Sequence, residues 1–374
     1  MAKRSSPRTQ LLPAALGYRM PAEWEPHEST WLAWPHFRGD WPGKFEPIAW
    51  VYAEIIRNLA SHERVDLIVN DASWENRARA ALEKADALSD NIYFHRWRTD
   101  RVWTRDSGCI FLTPPADRAD SGRVALHFQF NAWAKYPNHR FDGKNGERMA
   151  KAAGARAVQP FVALPPYVNP IGEKHRVVLE GGAIDVNGCG TLITTEECLL
   201  STTQQRNPPM DRAAYEQLFA DYFGVQSVIW LDSGIAGDDT HGHVDDITRF
   251  VAPNTVVTMI EHNGQSENYA ALQANLGRLK AARTADGEKL EIVEIPMPRP
   301  VVFEGRQLPA SYANFYIANG VVLAPVFNDS NDRIALNTLA ELFPTREIVP
   351  IYSGDLIWGF GALHCMTQQQ PVRT

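Results

Sequence analysis

From Glu46 onward, strand-like and helix-like patterns alternate with no low-complexity break, and that rhythm narrows the choice of fold more than any other feature. Helical periodicity is expected over Glu46–Leu59, Asp71–Leu88, Asp211–Phe223, Ser266–Arg283 and Asn331–Phe343. Strand patterns fall at Val65–Asn70, Asn91–Trp97, Cys109–Thr113, Val124–Phe130 and Leu290–Ile295. Val177–Leu200 reads as a hairpin, with Gly188 and Gly190 turning the chain between Ala183–Val186 and Thr191–Thr194. Ile247–Ile260 reads as two strands around Pro253 and Asn254, and Phe315–Ala324 as a pair turning at Asn319 and Gly320. The Asp211–Phe223 pattern puts Ala214, Tyr215, Leu218, Phe219, Tyr222 and Phe223 on one face, with Gly224 as a stop. A strand–strand–helix–strand rhythm recurs roughly every seventy residues. Such alternation in one uninterrupted chain predicts an α/β protein built as a single compound domain.

At 374 residues the length alone would allow two or three domains, but no linker separates them. The formal charge of −7 argues against nucleic acid, because phosphate binding needs a positive surface, and suits a small cationic partner. No apolar run approaches the ~20 residues needed to cross a bilayer, so no membrane role is expected. The four cysteines, Cys109, Cys189, Cys198 and Cys365, show no CxxC spacing, which argues against a zinc or redox motif. The start is basic, and its one apolar stretch, Leu11–Leu16, is short and broken by Pro13. Residues 1–19 therefore read as a loose arm rather than a signal peptide, residues 20–374 as the folded part, and the location as cytoplasmic.

Four segments carry residues able to do chemistry. In THGHVDD (240–246) an extended chain would point His243 and Asp245 to the same side, where an imidazole and a carboxylate can share a substrate. A polar strand end is the plainer alternative, and His241 reads as structural. In VWTRDSG (102–108), Arg105 and Asp106 can pair with each other or serve a site, and Trp103 can be core or a wall for a flat cation. In LEGG (179–182), two glycines after an acid imply close backbone approach, which would turn Glu180 inward. In WGFGALHCMTQQ (358–369), small residues before Cys365 let its sulfur reach a cleft. His364 adjoins Cys365 but points the other way in an extended chain, so a distant histidine is the better base.

Taken in order, MPAEWEPH (20–27), WTRDSG (103–108), LEGG (179–182), GHVD (242–245), ASYANFYIAN (310–319) and HCMTQQ (364–369) resemble the agmatine deiminases. Bacterial peptidylarginine deiminase shares their superfamily, and the likeness runs from about Met20 to Pro371. The resemblance implies a five-bladed pseudo-symmetric α/β propeller (the pentein fold), with the site on the central axis. It implies catalysis with no metal or organic cofactor, and it suggests a homodimer, although no interface is legible. It assigns Cys365 as nucleophile and His243 as its acid–base partner. Asp106 and Asp245 would hold the guanidinium, Glu180 would orient His243, and Trp103 would pack on the substrate chain.

Two departures bear on the substrate. The family usually carries a glycine run before its His–Cys, where this chain has Gly359, Phe360, Gly361, Ala362 and Leu363, and usually a proline where this chain has Cys109. Hydrolysis of agmatine to N-carbamoylputrescine and ammonia is the leading expectation. Deimination of peptidyl or free arginine, amidino transfer, a non-catalytic binding propeller and an unrelated cysteine amide hydrolase are the rivals. Free arginine would call for a cation near its carboxylate, and peptidyl arginine for an open cleft.

Overall fold

The computed structural model describes residues 12–163, 174–208 and 210–373. Its strands form one four-stranded sheet, four three-stranded sheets and two two-stranded ribbons among the described residues. The three-stranded sheets share one grammar. An antiparallel pair, such as Thr248–Ala252 with Thr255–Ile260, is followed by a helix and a parallel third strand, here Glu291–Pro296. The sheets centred on Val124–Leu126, Thr191–Thr195 and Val321–Val326 repeat it. A parallel pair needs a crossover, which explains why the helices Asn145–Ala152, Arg212–Phe223, Asn268–Ala281 and Asp332–Leu342 each sit before the last strand of a unit.

In the four-stranded sheet, Gln368–Pro371 pairs antiparallel with His27–Ala33, which pairs parallel with Arg64–Val69, and that with Ile92–Arg96. The two ends of the described chain therefore meet in one sheet, and Cys365 lies just before the strand that joins them. The strand His27–Ala33 was not foreseen; its Trp31 and Leu32 are wholly buried.

Most elements lie where periodicity placed them. The helix Arg212–Phe223 is capped by the Asp211 carboxylate, which accepts from the Ala214 N–H at 2.9 Å, a bond typically worth about 1 kcal/mol. It ends at Gly224 with φ +73°. Its face of Tyr215, Leu218, Phe219, Tyr222 and Phe223 is buried in one of two apolar clusters, and the larger cluster surrounds Trp31, Tyr52, Phe250 and Phe315.

Three expectations change in detail. The strand expected over Val124–Phe130 stops at Leu126, because beyond it the chain turns to bond Val158 and Val177 instead. The first arm of the hairpin shrinks to Asp185–Val186, with Gly181–Ala183 in a 3-10 turn. Its second arm ends at Thr195, whose hydroxyl caps a short helix, Glu196–Leu200. Of the expected arm, residues 1–11 lie outside the described residues. Tyr18 is buried, and Arg19 exchanges backbone hydrogen bonds with Thr113 at 3.1 and 3.0 Å. Among the described residues, no helix is long and apolar enough to cross a membrane.

Candidate active site

Cys365, His243, Asp106, Asp245 and Glu180 come from segments far apart in sequence and converge in one buried cluster. Asp106 sits in a single helical turn, Thr104–Ser107, whose first residue is anchored by its hydroxyl to the carbonyls of Trp31 (3.1 Å) and Met366 (2.6 Å). That turn directs Asp106 inward. Its Oδ1 accepts from the Gly182 N–H at 3.0 Å and its Oδ2 from the Trp133 indole N–H at 2.9 Å. Arg105 does not pair with it, as the plainer reading allowed. Instead Arg105 binds Gln369 at 2.6 Å and Glu23 at 3.3 Å.

The paired glycines make the site possible. A Cβ on Gly182 would lie 2.5 Å from His243 Nδ1, 3.0 Å from Asp245 Oδ2 and 3.1 Å from Asp106 Oδ1. A Cβ on Gly181 would lie 2.4 Å from the Arg105 carbonyl oxygen. The close approach read from the sequence is present, and Glu180 faces inward with no exposed surface. Glu180 Oε1 accepts from Arg206 Nε at 3.1 Å, and Oε2 lies 3.8 Å from His243 Nε2. Burial pushes the Glu180 carboxyl upward, but Arg206 and His243 outweigh it and hold the group down at about 2.

His243 and Asp245 do share a side, but not through an extended chain. Val244–Asp246 forms a 3-10 turn, so the alternation argument fails at Val244. The turn is set by Asp238, whose Oδ2 accepts from the N–H groups of Gly242 (2.7 Å) and His243 (3.1 Å). His241, at φ +65°, lies apart from the cluster, 3.5 Å from Glu197 and 3.2 Å from Ser201.

His243 Nδ1 stands 3.9 Å from both Asp106 Oδ2 and Asp245 Oδ1, and neither ring nitrogen has a hydrogen-bond partner. These are ion-pair distances, too long for hydrogen bonds. Burial disfavours the charged ring, yet Asp106, then Cys198 and Glu180, outweigh it and raise the His243 pKa well above its usual value. Burial also raises Asp106 to about 6, with Asp245 and Glu180 adding to it and His243 opposing.

Cys365 Sγ lies 3.6 Å from Asp245 Oδ2 and accepts from the Asn314 side-chain N–H at 3.0 Å. Burial, then Asp245, Asp246 and Asp106, push the thiol well above its usual value, with Asn314 opposing. His364 turns away from the sulfur, with its ring nitrogens 2.7 Å from Asp245 Oδ2 and 2.8 Å from Glu23 Oε2.

Cys365, Asp106 and Trp103 line a cavity that also touches Trp133, Tyr136, Asp239, Thr240, Asp40, Arg101 and Phe360. His243, Asp245 and Glu180 lie behind that surface, fully buried. Trp103 is braced by Trp41 at 5.9 Å between ring centroids. Phe360 reaches the cavity from a left-handed backbone (φ +67°), whereas Leu363 and Cys109 are buried in the core away from it.

Sequence reasoning passed over Asn314, Trp133, Arg206, Asp246 and Cys198. Asn314 lies in ASYANFYIAN and Asp246 in THGHVDD, but no signal gave either a role. By donor type, Glu180, Cys198 and His243 could hold a soft divalent ion, as could Asp245, Asp246 and Cys365, since each set brings its ligand atoms within 4.8 Å of one another.

A thiol, an imidazole and three carboxylates gather beside an aromatic-walled cavity in an α/β fold, and the relatives below make the class a hydrolase acting on amidine C–N bonds. The chain belongs to the Porphyromonas-type peptidyl-arginine deiminase family, whose model matches residues 19–371. It is 35% identical over 380 residues to an agmatine deiminase of Pseudomonas aeruginosa, covering 96% of this chain and 97% of that one. Its structure is similar to an agmatine deiminase of Enterococcus faecalis, with TM-score 0.86 and 28% identity over the full length of both chains. A substrate-bound C. jejuni agmatine deiminase superposes with TM-score 0.79 and 28% identity, covering 94% of this chain and 96% of that one.

Proposed function

We propose that this chain hydrolyses agmatine to N-carbamoylputrescine and ammonia through a covalent intermediate on Cys365. The observation that carries the reading is the placement of Asp106 and Asp245 each 3.9 Å from the same nitrogen of His243, Nδ1, with Asp245 also 3.6 Å from the Cys365 sulfur. A guanidinium spreads its charge over three nitrogens, so two carboxylates hold its plane and fix its carbon before the sulfur. Asp245 Oδ1 is buried with no partner, an acceptor left open for such a donor.

In the proposed sequence the bound cation offsets the carboxylates that keep the thiol protonated. With the cation in place the thiol gives its proton to solvent, while Asp106 and Asp245 stay ionised to hold the guanidinium. The thiolate attacks the guanidinium carbon and His243, held protonated by Asp106 and Glu180, protonates the leaving ammonia. Water then attacks the amidino-thioether and His243 receives its proton; the C–S bond breaks with the sulfur leaving as thiolate, which takes the proton of the new hydroxyl as the ureido product is released. One water is consumed and one ammonia released. Trp103 packs along the alkyl chain, and Glu180 orients the imidazole through Nε2.

We further propose that residues 20–374 form one catalytic domain whose five larger sheets are the blades of a propeller, and that the protein is a cytoplasmic homodimer. The relatives support the reaction, and the shared sheet grammar supports the blades. The test is ammonia release from agmatine by wild type and Cys365→Ser, with intact-mass analysis for an amidino adduct. Loss of release in the variant, with an adduct on the wild-type chain, is expected. Undiminished release from Cys365→Ser would sink the reading.

A further inference from the structure

Beside the imidazole of His243 stands a second thiol, Cys198, that the proposed chemistry leaves unused. Glu180, Cys198 and His243 each bring one ligand atom to within 4.8 Å of the other two. All three side chains are buried, Glu180 and His243 completely. Glu180 Oε2 and His243 Nε2 face each other at 3.8 Å, and neither has a hydrogen-bond partner among the described residues. Buried polar atoms are rarely left idle, so two of them beside a sulfur ask for an occupant.

The three ligand atoms are held from behind. The Thr195 hydroxyl accepts from the Cys198 N–H at 3.1 Å and donates to the Gly242 carbonyl at 2.5 Å, tying Cys198 to the residue before His243. Arg206 binds the other oxygen of Glu180, Oε1, at 3.1 Å and also reaches the carbonyls of Gln204 and Thr240. Across the ring, His243 Nδ1 faces Asp106 and Asp245 at 3.9 Å each. A carboxylate behind one ring nitrogen is the arrangement that orients a histidine ligating a metal through the other. The second set with ligand spacing, Asp245, Asp246 and Cys365, is already engaged: Asp245 Oδ2 meets His364, and Asn314 donates to Asp246 Oδ1 and to the Cys365 sulfur.

We infer that Glu180 Oε2, Cys198 Sγ and His243 Nε2 form an inhibitory site for a soft divalent cation of the zinc type. A carboxylate, a thiolate and an imidazole are a zinc donor set, and bonds of about 2.0 Å to oxygen and nitrogen and about 2.3 Å to sulfur set tetrahedral ligand atoms about 3.3–3.5 Å apart. The 3.8 Å between Oε2 and Nε2 is close to that spacing. Three protein ligands leave the fourth position to water. Coordination takes a deprotonated thiol and a neutral imidazole, so the dication enters in exchange for up to two protons. Once Nε2 holds the ion, His243 is no imidazolium, and its remaining Nδ1–H is too weak an acid to protonate the leaving ammonia. The Cys365 sulfur is not involved. Because the three side chains lie behind the cavity surface, the ion must wait for the fold to open locally, and inhibition sets in slowly. The inhibition rests on the deiminase reading above, whereas binding of the ion does not.

The test adds Zn²⁺, and Co²⁺ as its spectroscopic stand-in, to the full chain carrying Cys189→Ser, which removes the exposed thiol. Cys198→Ser and Cys365→Ser are each made in that background. Zn²⁺ is expected to stop ammonia release from agmatine progressively, and EDTA to restore it. Co²⁺ should give thiolate-to-metal charge-transfer absorption in the parent and in Cys365→Ser, and none in Cys198→Ser. Equilibrium dialysis should show Zn²⁺ affinity falling at least about 100-fold in Cys198→Ser. Absorption that survives in Cys198→Ser and vanishes in Cys365→Ser puts the ion on the nucleophile and overturns the site. Failure of the parent to bind either ion overturns it as well. Should Cys198→Ser fail to fold, Cys365→Ser decides alone, since no charge-transfer absorption there sinks the site. A metal-free parent that releases no ammonia from agmatine defeats the deiminase reading, while absorption in Cys365→Ser still judges the metal site.

Discussion

The Asn314 side chain holds Cys365 from two directions: its N–H donates to the sulfur at 3.0 Å, and its carbonyl oxygen accepts from the Cys365 backbone N–H at 3.3 Å. The same oxygen takes the His364 N–H at 3.0 Å, and the amide also reaches Asp246 at 2.9 Å. Asn314 thus fixes the nucleophile and is the group nearest the sulfur that favours its ionised form. Asn314→Ala should lower kcat by about 10- to 100-fold, since a hydrogen bond to a charged group contributes about 1.5–3 kcal/mol. KM for agmatine should change far less. Steady-state kinetics on the purified variant checks this, and an unchanged kcat would remove Asn314 from the mechanism.

Glu23 is the hub beneath the site. It lies 2.8 Å from His364, 3.3 Å from Arg105 and 2.9 Å from Arg249, and it accepts the Ile317 N–H at 2.9 Å. Burial pushes its carboxyl upward, but Arg249, His364 and Arg105 together hold it well below the usual range. Removing it strands three buried partners, so Glu23→Ala should cost about 3–5 kcal/mol of folding stability. Urea denaturation measures the loss. A change under about 1 kcal/mol would mean the network is not the support described here.

How much of this was readable beforehand depended on whether a signal was local. Asp211 and Gly224 bound their helix as expected, because caps act on adjacent residues. Glu180 faces inward for the reason its two glycines suggested. His243 and Asp245 were placed on one side correctly but through the wrong geometry, since Asp238 folds their segment into a turn that alternation cannot foresee. Arg206, Trp133 and Asn314 carried no local mark. Each matters only because folding sets it against Glu180, Asp106 or Cys365. Phe360 was rightly suspected of shaping the cavity, whereas Leu363 and Cys109 point into the core.

Asp106 depends on Trp133, whose indole N–H is its only side-chain donor among the described residues. Trp133→Phe keeps the ring and removes that donor, so kcat/KM should fall by about tenfold. Asp106→Ala removes the carboxylate itself, and the loss should reach about a thousandfold, as for truncating a buried hydrogen-bonded charge pair. Parallel kinetics on both variants tests the order. Near wild-type rates in Asp106→Ala would end its proposed role in holding the guanidinium.

The two central groups are displaced in the same direction, and that fixes the sign of the pH dependence. Cys365 is pushed above its usual value by burial and by Asp245, Asp246 and Asp106, so little thiolate exists at neutral pH and more appears as pH rises. His243 is raised by Asp106, Cys198 and Glu180 against burial, so the imidazolium needed for the first proton transfer persists well past its ordinary range. A guanidinium substrate stays charged throughout. The rising limb of kcat/KM therefore reflects ionisation of the thiol, the falling limb loss of the imidazolium, and the maximum should lie on the alkaline side of neutrality. Asn314→Ala should move the rising limb further up, because it removes the donor that favours the thiolate. Profiles of kcat/KM for wild type and variant, beside the pH dependence of Cys365 alkylation, separate the two limbs. A maximum below about pH 6.5 would require a thiolate already formed in the free enzyme, contrary to the acidic surroundings of the sulfur.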